Sequence, residues 1–129
     1  MSGSVGTPLP PADTVKAVDA QRSVRRVDAV AGWDGSEELT EVLASEAGTT
    51  IERIVSRGHT TDWCDQELDE WVLVHQGAAR LEYEDGTEME LLAGDAVLIP
   101  ARCRHRVAWT DPDQLTVWLA VHLPPPPRP

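Results

Sequence analysis

The chain has 129 residues and a formal net charge of −11 at pH 7, with 41% hydrophobic but only 5% aromatic residues. That length fits one domain with a sizeable core, and the negative balance argues against nucleic acid or an anionic membrane surface as partner, since both are polyanions. No apolar run approaches the roughly 20 residues of a membrane-spanning helix.

The stretch Met1 to Pro8 has neither the basic nor the apolar region of a secretory signal. The expectation is therefore a cytoplasmic protein in which Cys64 and Cys103 are thiols rather than a disulfide. Residues 1–22 are rich in Ser, Gly, Pro and Ala with few large apolar groups, which predicts a flexible arm. At the other end, the polyproline tail 124–129 cannot join a sheet.

Residues 23–123 between these ends form the predicted domain. Leu39 to Ala44 is apolar at a spacing that suits either a strand or a helix turn, and Glu46-Ala47-Gly48 separates it from Ile51-Glu52-Arg53-Ile54-Val55. Trp71 to His75 reads as a buried strand closed by Gln76-Gly77. Ala79 to Glu84 alternates strictly, as a half-buried strand should. Asp85-Gly86 predicts a two-residue type I′ hairpin, which needs positive φ at both central positions. Thr87 to Leu91 returns, Ala93-Gly94-Asp95 turns, and Val97-Leu98-Ile99 ends at Pro100. His105 to Thr110 alternates again, and Leu115 to Leu123 is the last strand. Short strands with turn signals every eight to twelve residues predict an all-β sandwich or barrel. Nothing separates them that reads as a βαβ crossover.

Two segments carry a longer pattern. In residues 58–77, Gly58 is followed by five residues, Cys64, Asp65, Gln66, three residues, Glu70, six residues and Gly77. In residues 94–109, Gly94 is followed by five residues, Pro100, Ala101, Arg102, two residues, His105, three residues and Trp109. These spacings resemble the two motifs of the cupin superfamily, and the chain looks most like the small single-domain bacterial cupins of unassigned activity. The departures are Cys64 and Gln66 in place of two histidines, Arg102 in place of the inner glycine and Trp109 in place of the closing asparagine.

The resemblance implies an all-β, RmlC-like jelly-roll barrel (the cupin double-stranded β-helix), and by its habit a homodimer paired through its sheets. It also implies a divalent ion (iron, zinc, manganese or nickel) held by Cys64, Gln66, Glu70 and His105, with Glu70 and His105 as catalytic residues. On that reading the protein is a metal-dependent oxygenase, isomerase or lyase acting on a small molecule. Loss of both motif histidines favours a metal-free small-ligand-binding or sensor barrel instead, because a thiol binds metal only when deprotonated and Gln offers only a carbonyl oxygen. Acid–base catalysis by a Glu70–His105 pair without metal is a third reading.

Alternation places further residues. With His105 inward, Val107 and Trp109 should share its face while Arg104 and Arg106 point away. On the last strand Thr116, Trp118, Ala120 and His122 share one face, so His122 is a candidate polar group in the pocket. His75 alternates away from Glu70, His59 reads as a loop residue, and Trp63 and Trp71 read as wall or subunit-contact residues.

Overall fold

The computed structural model describes residues 24–28 and 30–124. The predicted arm at 1–22 lies outside the described residues, as does the proline tail beyond Pro124. The chain divides into two compact units, 1–33 and 34–129, and the second holds all the strands.

Among the described residues eight strands form and there is no helix, hence none long and apolar enough to cross a membrane. They are β1 (Leu39–Glu46), β2 (Thr49–Ser56), β3 (Asp69–Gln76), β4 (Ala78–Tyr83), β5 (Glu88–Leu92), β6 (Ala96–Ile99), β7 (His105–Thr110) and β8 (Thr116–Leu123). A five-stranded sheet in the order β1-β2-β8-β3-β6 faces a three-stranded sheet in the order β5-β4-β7. All pairings are antiparallel. The inward residues meet in one core, Val72 and Val74 of β3, Ala79 and Leu81 of β4, Leu91, Ile99, Trp118 and Ala120. This is the expected jelly roll. Leu39 to Ala44, ambiguous in sequence, is strand, because β2 is available to satisfy its backbone in an antiparallel ladder.

The hairpin chemistry differs from expectation. At Ala47-Gly48 φ is +54° and +82° and Glu46 pairs directly with Thr49, so the two-residue turn with both central φ values positive lies there. At Asp85-Gly86 only Gly86 has positive φ. Gly86 N–H donates to Tyr83 O at 2.9 Å and Tyr83 N–H to Thr87 O at 2.8 Å, a three-residue loop closed by a left-handed glycine. The Asp85 carboxylate accepts the Thr87 N–H at 2.9 Å, and such Asx bonds hold the aspartate in the turn without positive φ.

A second correction concerns β7. The β4–β7 register pairs Arg80 with Trp109 but Leu81 with Val107, so Ala108 is an extra residue that re-aims the side chain after it. Val107 stays inward with His105. Trp109 turns to the outer face, where the Arg80 guanidinium lies 5.1 Å from its ring centroid.

Candidate functional site

Between the two sheets lies a cavity of about 180 Å³. Its polar lining comprises Glu38, Thr40, Glu52, Thr61, Cys64, Gln66, Glu70, His105 and His122, and Ile54, Val72, Leu81, Ile99, Val107 and Trp118 supply apolar walls. The four positions singled out by spacing, Cys64, Gln66, Glu70 and His105, thus face one space, with His122 beside them.

Register explains the arrangement. On β3 and β8, Glu70 stands directly opposite His122. On β2 and β8, Thr50 pairs with His122 and Glu52 with Ala120, making Glu52 the diagonal neighbour of His122, within reach of a long side chain. β7 brings His105 from the opposing sheet. The segment before β3 runs antiparallel to β7: Cys64 and His105 exchange backbone hydrogen bonds of 2.7 and 3.1 Å, and Thr61 N–H donates to Val107 O at 3.1 Å. Arg104 and Arg106 point away, both over the Trp63 ring at 5.4 and 4.8 Å from its centroid. Trp63 therefore clamps this segment to the outside of β7 and is not a cavity wall.

The polar groups form a chain. His122 Nε2 lies 3.0 Å from Glu52 Oε1 and 4.0 Å from Glu70 Oε2; Glu70 Oε1 lies 3.8 Å from His105 Nε2. His105 Nδ1 lies 2.8 Å from the Cys103 carbonyl. A carbonyl only accepts, so that nitrogen carries hydrogen and a neutral His105 presents a bare Nε2 to the cavity. His122 is the reverse, since its Nε2 must donate to the Glu52 carboxylate. Glu70 sits between an accepting and a donating imidazole, touching neither at hydrogen-bond distance. Glu70 and His105 are only 7% and 5% exposed, whereas the His122 and Glu52 side chains are 20% and 22% exposed.

The other candidates separate. The Cys64 Sγ donates to Asp62 O at 3.4 Å, and burial pushes its thiol above the ordinary value. The Gln66 Oε1 is buried without a partner. His59 Nδ1 accepts the Arg57 N–H at 2.8 Å, His75 is exposed, and neither lines the cavity. Glu52 and Glu38 were not recognised from sequence. Alternation puts Glu52 with Ile54 and Ser56 on one face of β2, but only pairing with β8 shows that this face is the inner one.

The cupin-domain family model matches residues 56–122. A protein of Ralstonia eutropha JMP134 described as a candidate mannose-6-phosphate isomerase is 43% identical, over 69% of this chain and 86% of that one, with a TM-score of 0.66. This chain belongs to the cupin family. A cupin superfamily protein of Desulfitobacterium hafniense DCB-2 shares the fold at 17% identity and a TM-score of 0.66, covering 85% and 97% of the two chains. A cupin domain of Bordetella pertussis Tohama I does so at 19% identity and a TM-score of 0.58, covering 73% and 100%. No curated protein matches.

Cupins often bind metal ions, and the donor set of this cupin suits one only in part. His105, with Nδ1 fixed on a carbonyl and Nε2 free, has the arrangement of a metal ligand. The rest does not fit: Cys64 is held as a thiol, Gln66 is a neutral amide, and His122 Nε2 is committed to Glu52. Among the described residues no group of three or more His, Cys, Asp or Glu converges where an ion could sit.

Proposed function

We propose that this cupin binds a small molecule in its barrel and performs metal-independent proton transfer on it, with Glu70 as the central acid–base residue. One observation carries the reading: a buried carboxylate spaced 3.8 and 4.0 Å from two imidazoles of opposite hydrogen-bonding sense. Those gaps are too long for direct hydrogen bonds and suit a substrate atom or water between the groups. Glu70 would take a proton from a carbon beside a carbonyl, leaving an enolate. The His122 Nε2–H, turning from Glu52 to the substrate, would donate to the enolate oxygen. Return of the Glu70 proton to the former carbonyl carbon, with the hydroxyl on the carbon first deprotonated giving its proton back to His122, would complete the isomerisation of a hydroxy carbonyl compound. The 43% identical relative described as a candidate isomerase supports that reaction class.

The test is hydrogen–deuterium exchange into small carbonyl compounds, followed by NMR in deuterated buffer with chelator present. Exchange should persist in chelator and fall at least about a hundredfold in Glu70→Gln, within the range one general base contributes. A second reading, a metal-dependent enzyme, draws on the free His105 Nε2 and the unpartnered Gln66 Oε1. Exchange that appears only on adding a divalent ion selects it and overturns the first.

We also propose a homodimer through the outer face of the larger sheet. Trp71 and Leu98 pair across β3 and β6 and remain 36% and 51% exposed. Leu98→Glu should give a monomer in analytical ultracentrifugation, and a monomeric parent protein would refute this pairing.

A further inference from the structure

The cavity's lining holds three carboxylates, Glu38, Glu52 and Glu70, beside the imidazoles of His105 and His122 and the Cys64 thiol, and among the described residues no Lys or Arg lines it. Two of the three carboxylates have a donor, Glu38 from the Ser56 hydroxyl at 2.6 Å and Glu52 from His122 at 3.0 Å. Glu70 has none at hydrogen-bond distance, although its side chain is nine-tenths buried. A buried carboxylate without a donor is a costly arrangement, expected where a ligand supplies the missing group.

A second observation is independent of the acidic groups. Trp118 lies on the inner face of β8, is 3% exposed, and its Nε1–H has no hydrogen-bond partner. That donor calls for an acceptor, as the Gln66 Oε1 calls for a donor. The aliphatic part of the wall is Ile54, Val72, Leu81, Ile99 and Val107.

From these groups, and resting on the reading of the cavity as a small-molecule site, we infer that the ligand is a small organic cation, a protonated amine that also carries a hydroxyl or carbonyl oxygen. Its ammonium brings three donors, enough to span Glu70, Glu52 and the Gln66 oxygen, and its oxygen accepts from Trp118. The short carbon skeleton packs on Ile54, Val72 and Val107, and the Trp118 ring face favours a nearby cation. A phosphorylated sugar is the wrong ligand for this barrel. Its phosphate would enter a space already holding three carboxylates, without the Arg or Lys fork that recognises phosphate.

The experiment titrates 3-amino-1-propanol, its neutral analogue 1,4-butanediol and mannose 6-phosphate into the full chain at one ionic strength. Binding is read by calorimetry and by the indole N–H resonance of Trp118, assigned with Trp118→Phe. The amine should bind at least tenfold more tightly than either other probe and move the Trp118 resonance. Glu52→Gln should weaken it about tenfold. Glu70→Gln should do the same, and Glu52, being less buried, guards against a Glu70 variant that fails to fold. Equal binding of the diol overturns the inference while leaving the small-molecule site intact. Preference for mannose 6-phosphate, or no binding by any of the three, overturns it too. Proton exchange in chelator reports separately on the catalytic reading.

Discussion

Gly77, the last residue of the first motif, closes the barrel at its tightest point. Its φ is +91°, and a Cβ there would lie 2.4 Å from Thr116 Oγ1, 2.5 Å from Thr116 Cα and 2.6 Å from the Leu115 carbonyl oxygen. None of these can retreat cheaply. Thr116 is fully buried, and its hydroxyl holds the Ala78 N–H at 3.2 Å and the Ala78 carbonyl at 3.1 Å. Gly77→Ala therefore adds about 1–2 kcal/mol of left-handed strain and forfeits two buried hydrogen bonds worth about 1 kcal/mol each. The sum, about 3–4 kcal/mol, is a large part of a typical domain stability of about 5–15 kcal/mol. Gly86 provides the internal control. Its φ is +90°, and nothing lies within 4 Å of its hypothetical Cβ, so Gly86→Ala should cost only the strain, about 1–2 kcal/mol. Urea unfolding followed by circular dichroism measures both. With a slope of about 2 kcal/mol per molar, the midpoint of Gly77→Ala should fall by roughly 1.5–2 M, and that of Gly86→Ala by less than about 1 M. Equal shifts in the two variants would refute the packing argument, since backbone strain is the same in both.

Other consequences are more local. Ala47 holds a left-handed conformation that asparagine tolerates better, so Ala47→Asn should raise stability by about 0.5–1 kcal/mol, seen as a higher thermal midpoint; an unchanged or lower one contradicts the turn assignment. Arg102 stands at φ +63° where the motif has glycine; its N–H donates to Gln66 O at 2.8 Å, a bond glycine would keep, and its side chain makes exposed ion pairs with Asp65 and Glu67. Because such pairs are worth about 0–1 kcal/mol, Arg102→Gly should stay within about 1 kcal/mol of the parent in urea; a loss above about 2 would show that the pairs hold the loop. Burial raises the Cys64 thiol, so its contribution to stability is full below the ordinary thiol pKa and is lost as pH rises through the folded value. In a Cys103→Ala background, the alkylation rate of Cys64 by iodoacetamide should show a midpoint above about 8.5, and a midpoint at or below that value refutes the account.

Much of this protein was legible in the chain itself. Turn residues and period-2 alternation mark the strands because the β backbone sends successive side chains to opposite faces. The spacing of Gly58, Glu70, Gly77, Gly94, Pro100 and His105 brings Glu70 and His105 to one cavity. What sequence could not supply was register. The extra residue at Ala108 reverses Trp109, and no local pattern announces a bulge. Ala47-Gly48 takes the tight turn because Glu46 and Thr49 must pair there, while the Asp85 side chain caps its own loop in another geometry. Glu52 and the role of His122 emerge only when β2, β8 and β3 lie side by side. The first motif was thus readable as a frame. The set of polar groups inside it, with Glu70 between His105 and His122, depends on contacts between residues up to 70 positions apart, which tertiary structure alone decides.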